Sequence, residues 1–421
     1  MKTVMSGTRR VPTTLRAVFL VAFEILMAAS LAPCVACGAG NPAAAEPLVP
    51  LEPMLSIDWK KGPDLPQGFQ DSSGGVIGHT LVTACGFCQG KQQIASKPGR
   101  YPRGFLKKVW GLDLENPGKG WVRLPDFPGA ARQALCGIIL DDQLYCWGGY
   151  SYSAPYCYRD GFRLTCKKGQ WAWDSLPDLP WPAGDCGISV SGSKIYVAGG
   201  SDYDTNKFYT NADRAGKVNR LGARLLVIDT KDLRSGWKEL APCPGTPRWG
   251  QATAIVAGEL YVFGGGTGFD NPTGTYATVV DNWLYDPATN SWRRLANLPI
   301  ASSVFPSGRI VVFDRYLVLI GGCQYGHVIG PDGAVKPVYG KPFRHYPDRD
   351  CFSDVFVYDT RRDRFGTATP LPLNDCRPMI VTAGDHIHLL GGETFGAVVA
   401  GEPFAHHPDL YLVGTIRAIA H

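Results

Sequence analysis

Three arginines, two aspartates and a tryptophan stand at matched distances along this 421-residue chain. Eleven or twelve residues after a recurring aromatic side chain come Gln70 with Asp71, Arg132, Asp185, Arg248 with Trp249, Ser303, and Arg377. The arginine fork matches a carboxylate in bidentate fashion, and tryptophan gives a flat apolar face for stacking. Gathered around one opening, Arg132, Asp185, Arg248, Trp249 and Arg377 would hold a small, anionic, hydroxyl-rich ligand. The same arginines would equally serve to pair with loop aspartates and tie structural units together. Glu393 follows Gly391-Gly392 directly and is the best-placed proton-transfer group. Tyr150 occupies the corresponding place after Gly148-Gly149, and Tyr325 lies close behind Gly321-Gly322. Other chemistries have less behind them. His327, His345, Asp348 and Asp350 lack a tight ligand spacing and read as solvated loop polarity, so no metal or other cofactor is expected. His386 and His388 alternate along an apolar run, as packed strand residues do. Cys85-Gly86-Phe87-Cys88 is a lone CxxC, and no P-loop, GxSxG or HExxH sequence is present.

The elements that must position these residues are announced by a repeat. Gly148-Gly149, Gly199-Gly200, Gly264-Gly265, Gly321-Gly322 and Gly391-Gly392 each close an apolar run, and Cys85-Gly86 is a worn sixth copy. An aliphatic residue stands four positions before each pair: Leu81, Leu144, Ile195, Leu260, Leu317 and Ile387. An aromatic lies 26 to 29 residues upstream: Trp59, Trp121, Trp173, Trp237, Trp292 and Phe365. Seven residues beyond each aromatic is a proline: Pro66, Pro128, Pro180, Pro244, Pro299 and Pro372.

This pattern resembles the kelch repeat, which implies an all-β propeller of four-stranded blades. In the fourth repeat the strands are expected at 251–256, 259–263, 282–286 and 291–295. Trp59 has no blade of its own in front of it, and one strand, around 410–416, follows the last Gly pair. The N-terminal strand near 55–60 is therefore expected to complete the last blade and close a six-bladed ring without exposed edges. Insertions at about 87–106, 201–222, 266–280, 323–352 and 393–408 read as loops on one face, where recognition would lie. The ends of the 323–352 insertion would come together across adjacent antiparallel strands, making Cys323–Cys351 a candidate disulfide, with Cys157–Cys166 as a second.

Residues 1–45 read as an export signal and residues 46–421 as the propeller. Lys2, Arg9, Arg10 and Arg16 against Glu24 give the first segment a local charge of +3, and a mostly apolar stretch leads to Ala43-Ala44-Ala45. A lipoprotein is a weaker alternative, because Pro33 adjoins Cys34. Export to the periplasm or beyond fits the eleven cysteines that follow residue 45. Of the formal +5, only +2 remains outside the signal, which argues against a nucleic-acid partner, and no stable membrane span is expected in the mature chain.

Signal, blade count, closing strand and Gly391-Gly392-Glu393-Thr394 together resemble the bacterial N-acetylneuraminate epimerases, the sialic acid mutarotases. That resemblance implies a sugar isomerase, with a proton-transfer carboxylate beside a sugar-orienting arginine. It also implies a glutamate after the fourth Gly pair, where this chain has Gly266. The other readings are a non-catalytic propeller binding a glycan or protein at the cell envelope, and a copper enzyme of the galactose oxidase type.

Overall fold

The computed structural model describes residues 50–88, 104–202, 222–267, 277–304, 309–325, 327–330, 332, 334–337, 349–399, 402–406 and 410–419. Among these residues, six four-stranded antiparallel sheets follow one another as blades. Their inner strands are Ser73–Ile77, Cys136–Leu140, Gly187–Ser191, Ala252–Val256, Arg309–Val312 and Met379–Ala383. Each inner strand touches the next, and the last touches the first, so the inner strands close a ring. The fourth blade runs Ala252–Val256, Glu259–Phe263, Asn282–Asp286 and Ser291–Leu295, within one residue of the expected strands. In the sixth blade, Leu55–Lys61 lies antiparallel to Tyr411–Ala418, from Leu55 opposite Ala418 to Lys61 opposite Leu412. That is the expected closure.

The core is distributed between blades. Both faces of each sheet are covered, so the second strands are continuous apolar runs rather than alternating ones. Leu81, Leu144, Ile195, Leu260, Leu317 and Ile387 are all fully buried. Separate clusters fill the six blade interfaces; one, for example, packs Val318 and Val357 of the fifth blade against Ile387 and Leu389 of the sixth.

The Gly pairs join neighbouring blades through backbone. The second glycine donates its N–H to a carbonyl of the following junction: Gly86 to Arg132, Gly149 to Ala183, Gly200 to Arg248, Gly265 to Ser302, Gly322 to Asp375 and Gly392 to Phe69, at 2.8–3.0 Å. The last bond returns to the first blade. A Cβ on Gly391, whose φ is +67°, would stand 2.2 Å from the Phe69 carbonyl oxygen, so close backbone approach requires glycine there.

The insertions contain more regular structure than a loop reading implies. Gly266–Thr267 pairs with Ala277–Val279, which runs parallel to His327–Ile329, and that strand pairs with Val335–Pro337. Cys323–Tyr325 pairs with Arg349–Cys351, and Glu393–Val399 with Glu402–His406. The insertions of the fourth and fifth blades are thereby knitted into one sheet. No helix among the described residues is long and apolar enough to cross a membrane.

Candidate functional site

Each inner strand is entered by the same three-residue step. Its first member is the junction residue that receives the glycine N–H: Phe69, Arg132, Ala183, Arg248, Ser302 or Asp375. The second forms an isolated bridge with the residue after a Gly pair: Gln70 with Phe87, Gln133 with Tyr150, Gly184 with Ser201, Trp249 with Gly266, Ser303 with Cys323, and Cys376 with Glu393. The third is Asp71, Ala134, Asp185, Gly250, Val304 or Arg377. Asp71, Ala134, Asp185, Gly250 and Arg377 have φ of +50°, +57°, +53°, +63° and +61°. Their backbones are linked around the channel mouth. Asp71 N–H donates to Arg377 O, Ala134 to Asp71 O, Asp185 to Ala134 O and Gly250 to Asp185 O, at 2.8–3.3 Å. Left-handed backbone costs a side chain such as that of Ala134 or Arg377 on the order of 1–3 kcal/mol, and such strain concentrates at functional sites.

Three acids converge on one base. Arg377 Nη1 lies 2.6 Å from Asp71 Oδ2 and 3.9 Å from Asp185 Oδ2, while its Nε lies 3.2 Å from Glu393 Oε1. None of the four residues is more than 5% exposed. Fully ionised, the group would bury an excess of negative charge, which favours keeping a proton. Burial pushes Asp71 up to about 7, against the pull of Arg377 and with the push of Asp185 and Glu393. Burial also lifts Asp375 well above the carboxylate range, with Glu393 adding to it, which favours its neutral form. Burial raises the Tyr150 phenol as well, and its oxygen accepts a hydrogen bond from Gln133 Nε2.

Asp71 and Asp185 form the polar end of a central cavity of about 380 Å³, which lies within the size range of small-ligand sites. Below them its walls are aliphatic, with Ile139, Val190, Ile255, Val311 and Val381 from successive blades. The first blade contributes Gly74 and Gly75, against which Met379 and Ile139 pack closely. Beside the mouth, Phe105 packs 4.9 Å from Phe87 and 4.8 Å from Tyr152 between ring centroids, and Tyr152 is 46% exposed. This is a stacking surface open to solvent.

The expected ring of three arginines is not formed. Arg377 is a third-position residue and faces the mouth, whereas Arg132 and Arg248 are first-position residues. Arg132 makes a two-pronged pair with Asp160 and donates to Gly148 O at 3.0 Å, beneath the Tyr158 ring. Arg248 repeats this, with Asp281 Oδ2 at 2.6 Å and Gly264 O at 3.1 Å. Both are struts. The spacing misleads because the distance from aromatic to bridge residue varies between eleven and twelve, and one residue of slip moves a side chain out of the mouth. Trp249 is 5% exposed, too enclosed to be an open stacking face. Tyr325 stands opposite Arg349 at the base of the fifth-blade insertion.

The cysteine pairs differ from expectation too. Cys323 and Cys351 are directly opposed in register, yet no disulfide joins them, and the Cys351 sulfur lies 3.1 Å from that of Cys376. Cys157 and Cys166 are not bridged either, because they face different cores: Cys157 packs with Ala134 and Tyr150, and Cys166 against the cluster between the first two blades. His345 and Asp348 lie outside the described residues, and Asp350 stands opposite Gln324. Asp375 and the pairing of Asp71 with Arg377 were missed as site features. The signal for Asp375 was its equivalence to Arg132 and Arg248 at the first position.

Inner strands, Gly-pair junctions and the three-residue step define a kelch-type β-propeller. The family model of the Kelch motif matches residues 247–299. Over 370 residues the chain is 24% identical to the N-acetylneuraminate epimerase of Haemophilus influenzae (strain PittEE), covering 81% of this chain and 90% of that protein. It is 27% identical over 190 residues to the N-acetylneuraminate epimerase of Yersinia pestis (strain Pestoides F), covering 41% and 47% respectively. The solved structure of YjhT shares the fold, with a TM-score of 0.61 at 16% identity over 85% of this chain and 99% of that one.

Proposed function

We propose that this protein is an exported sugar mutarotase or epimerase, working in the periplasm or outside the cell, with Asp71 and Glu393 as the proton-transfer pair and Arg377 holding both. The observation that carries the reading is the single buried guanidinium shared by Asp71 and Glu393, with Asp71 held near neutrality at the polar end of a ligand-sized cavity. The similarity to N-acetylneuraminate epimerases supports it.

Interconverting anomers requires a base to take the anomeric hydroxyl proton and an acid to protonate the ring oxygen; closing the ring on its other face reverses both roles. A carboxyl that titrates near the working pH suits either role, and the partner carboxyl on the same arginine is placed to take the other. Asp185, also on the cavity, accepts hydrogen bonds from ring hydroxyls. Tyr152 and Phe105 offer the sugar an aromatic face. Because the cluster is rich in acids, it addresses hydroxyls first, and an anionic group such as the carboxylate of N-acetylneuraminate is met by residues outside it. Gly266, where the epimerase resemblance implies a glutamate, leaves Glu393 to supply that acid from the sixth blade.

Anomer exchange measured by NMR with N-acetylneuraminate and with neutral hexoses tests the reading. Catalysed exchange that drops at least about 100-fold in Glu393→Gln and in Asp71→Asn is expected. Exchange no faster than in buffer, alongside calorimetric binding, would make the protein a non-catalytic glycan binder. Absence of both would move the function to protein contacts on the decorated face.

A further inference from the structure

The thiols at the base of the fifth-blade insertion point to a modification site. Cys351 ends the strand Arg349–Cys351, opposite Cys323, and Cys376 is the middle residue of the step that leads to Arg377. The Cys351 and Cys376 sulfurs are 3.1 Å apart, closer than non-bonded sulfurs ordinarily pack, and 25 positions apart in sequence. Cys323, Cys351 and Cys376 are at most 2% exposed. Around the pair, the Cys351 sulfur lies 3.8 Å from the Glu393 carbonyl oxygen and the Cys376 sulfur 4.0 Å from Glu393 Oε1. Cys376 and Glu393 also exchange backbone hydrogen bonds of 2.9 and 2.8 Å.

We propose that Cys351 and Cys376 form a disulfide that fastens the base of the fifth-blade insertion to the two backbone segments carrying Arg377 and Glu393. The register sets Cys323 opposite Cys351, while the 3.1 Å sulfur separation sets Cys376 of the adjacent blade beside it. The bond therefore crosses between blades five and six instead of closing the insertion on itself. In the reaction, the two thiols lose two protons and two electrons to a small-molecule or protein disulfide, which leaves as two thiols. Burial raises the Cys376 thiol well above its ordinary value, which disfavours the attacking thiolate in the folded protein. Cys323 stays reduced beside it.

Refolding the full chain in reduced and oxidised glutathione, blocking free thiols, and digesting without reduction tests the assignment. A linked peptide containing Cys351 and Cys376, with Cys323 blocked, is expected. A Cys323–Cys351 link, or three blocked thiols, would overturn it. Cys323→Ser should keep the link and Cys351→Ser should lose it; loss of the Cys376 cross-link in Cys323→Ser would also count against the proposal. Hydrogen exchange reads the fastening separately. The Cys376 and Glu393 amides should exchange several-fold more slowly in the oxidised protein than in the same protein reduced with a phosphine, and equal rates would refute the fastening.

Discussion

Replacing Asp71 by asparagine should stabilise the folded protein at mildly alkaline pH, although it removes the 2.6 Å ion pair to Arg377. The folded carboxyl titrates near 7 against an ordinary value of 3.8. Below about pH 4 the folded and unfolded chains both hold this proton. Between 4 and 7 the folded chain keeps a proton that the unfolded chain has released. The favourable contribution is therefore complete in acid and is lost as pH rises through 7. Two pH units, from 7 down to 5, at about 1.4 kcal/mol each, correspond to about 3 kcal/mol. Asparagine mimics the protonated acid in size and polarity and has no charge to lose. Arg377 keeps Glu393 at 3.2 Å, so no buried cation is orphaned. Urea unfolding of parent and variant at pH 5 and pH 8 measures the effect. The variant's advantage over the parent is expected to grow by about 3 kcal/mol between pH 5 and pH 8. Groups common to both chains cancel in this comparison. A variant less stable than the parent at pH 8, or one with the parent's pH dependence, would refute the picture of a proton-holding cluster.

Arg248→Ala should cost about 3–5 kcal/mol of stability by leaving a carboxylate and a glycine carbonyl without their donor, and Arg132→Ala less because Asp160 is one-third exposed, with sugar affinity unchanged wherever the variants fold. Thermal unfolding with calorimetry separates the two effects. Deleting residues 46–62 should expose the edge of Tyr411–Ala418 and yield aggregates in size-exclusion chromatography, whereas a monomer as stable as the parent would disprove closure by the N-terminal strand.

The architecture was legible because a propeller repeats its constraints. Every blade needs an aliphatic residue buried on both sides of its second strand, a backbone able to approach the next junction, and an aromatic on its outer strand. These needs leave Leu260, Gly264-Gly265 and Trp292 at fixed offsets, and the fourth-blade strands followed from them. The site was only half legible. Arg377 and Glu393 fall where the repeat places them, but Arg132 and Arg248 show that chemistry at the mouth depends on single-residue register, which a one-residue variation in the preceding turn conceals. The insertion strands His327–Ile329 and Val335–Pro337 are three residues each and exist through partners distant in sequence. Local composition carries little trace of such pairing.

The antiparallel clasp of the sixth blade has a mechanical consequence. Leu55 and Ala418 lie side by side at one end of their ladder, and Lys61 and Leu412 at the other. Tension applied at Leu55 and Ala418 acts across the hydrogen bonds and peels them in sequence, each bearing the load alone. The same ladder pulled along its length would resist as a set. Force between the two ends should thus open the ring at its seam at low load, while the other five blades, continuous in chain, stay wound. A molecule held by one end feels no such load, and its seam rests on thermal stability alone.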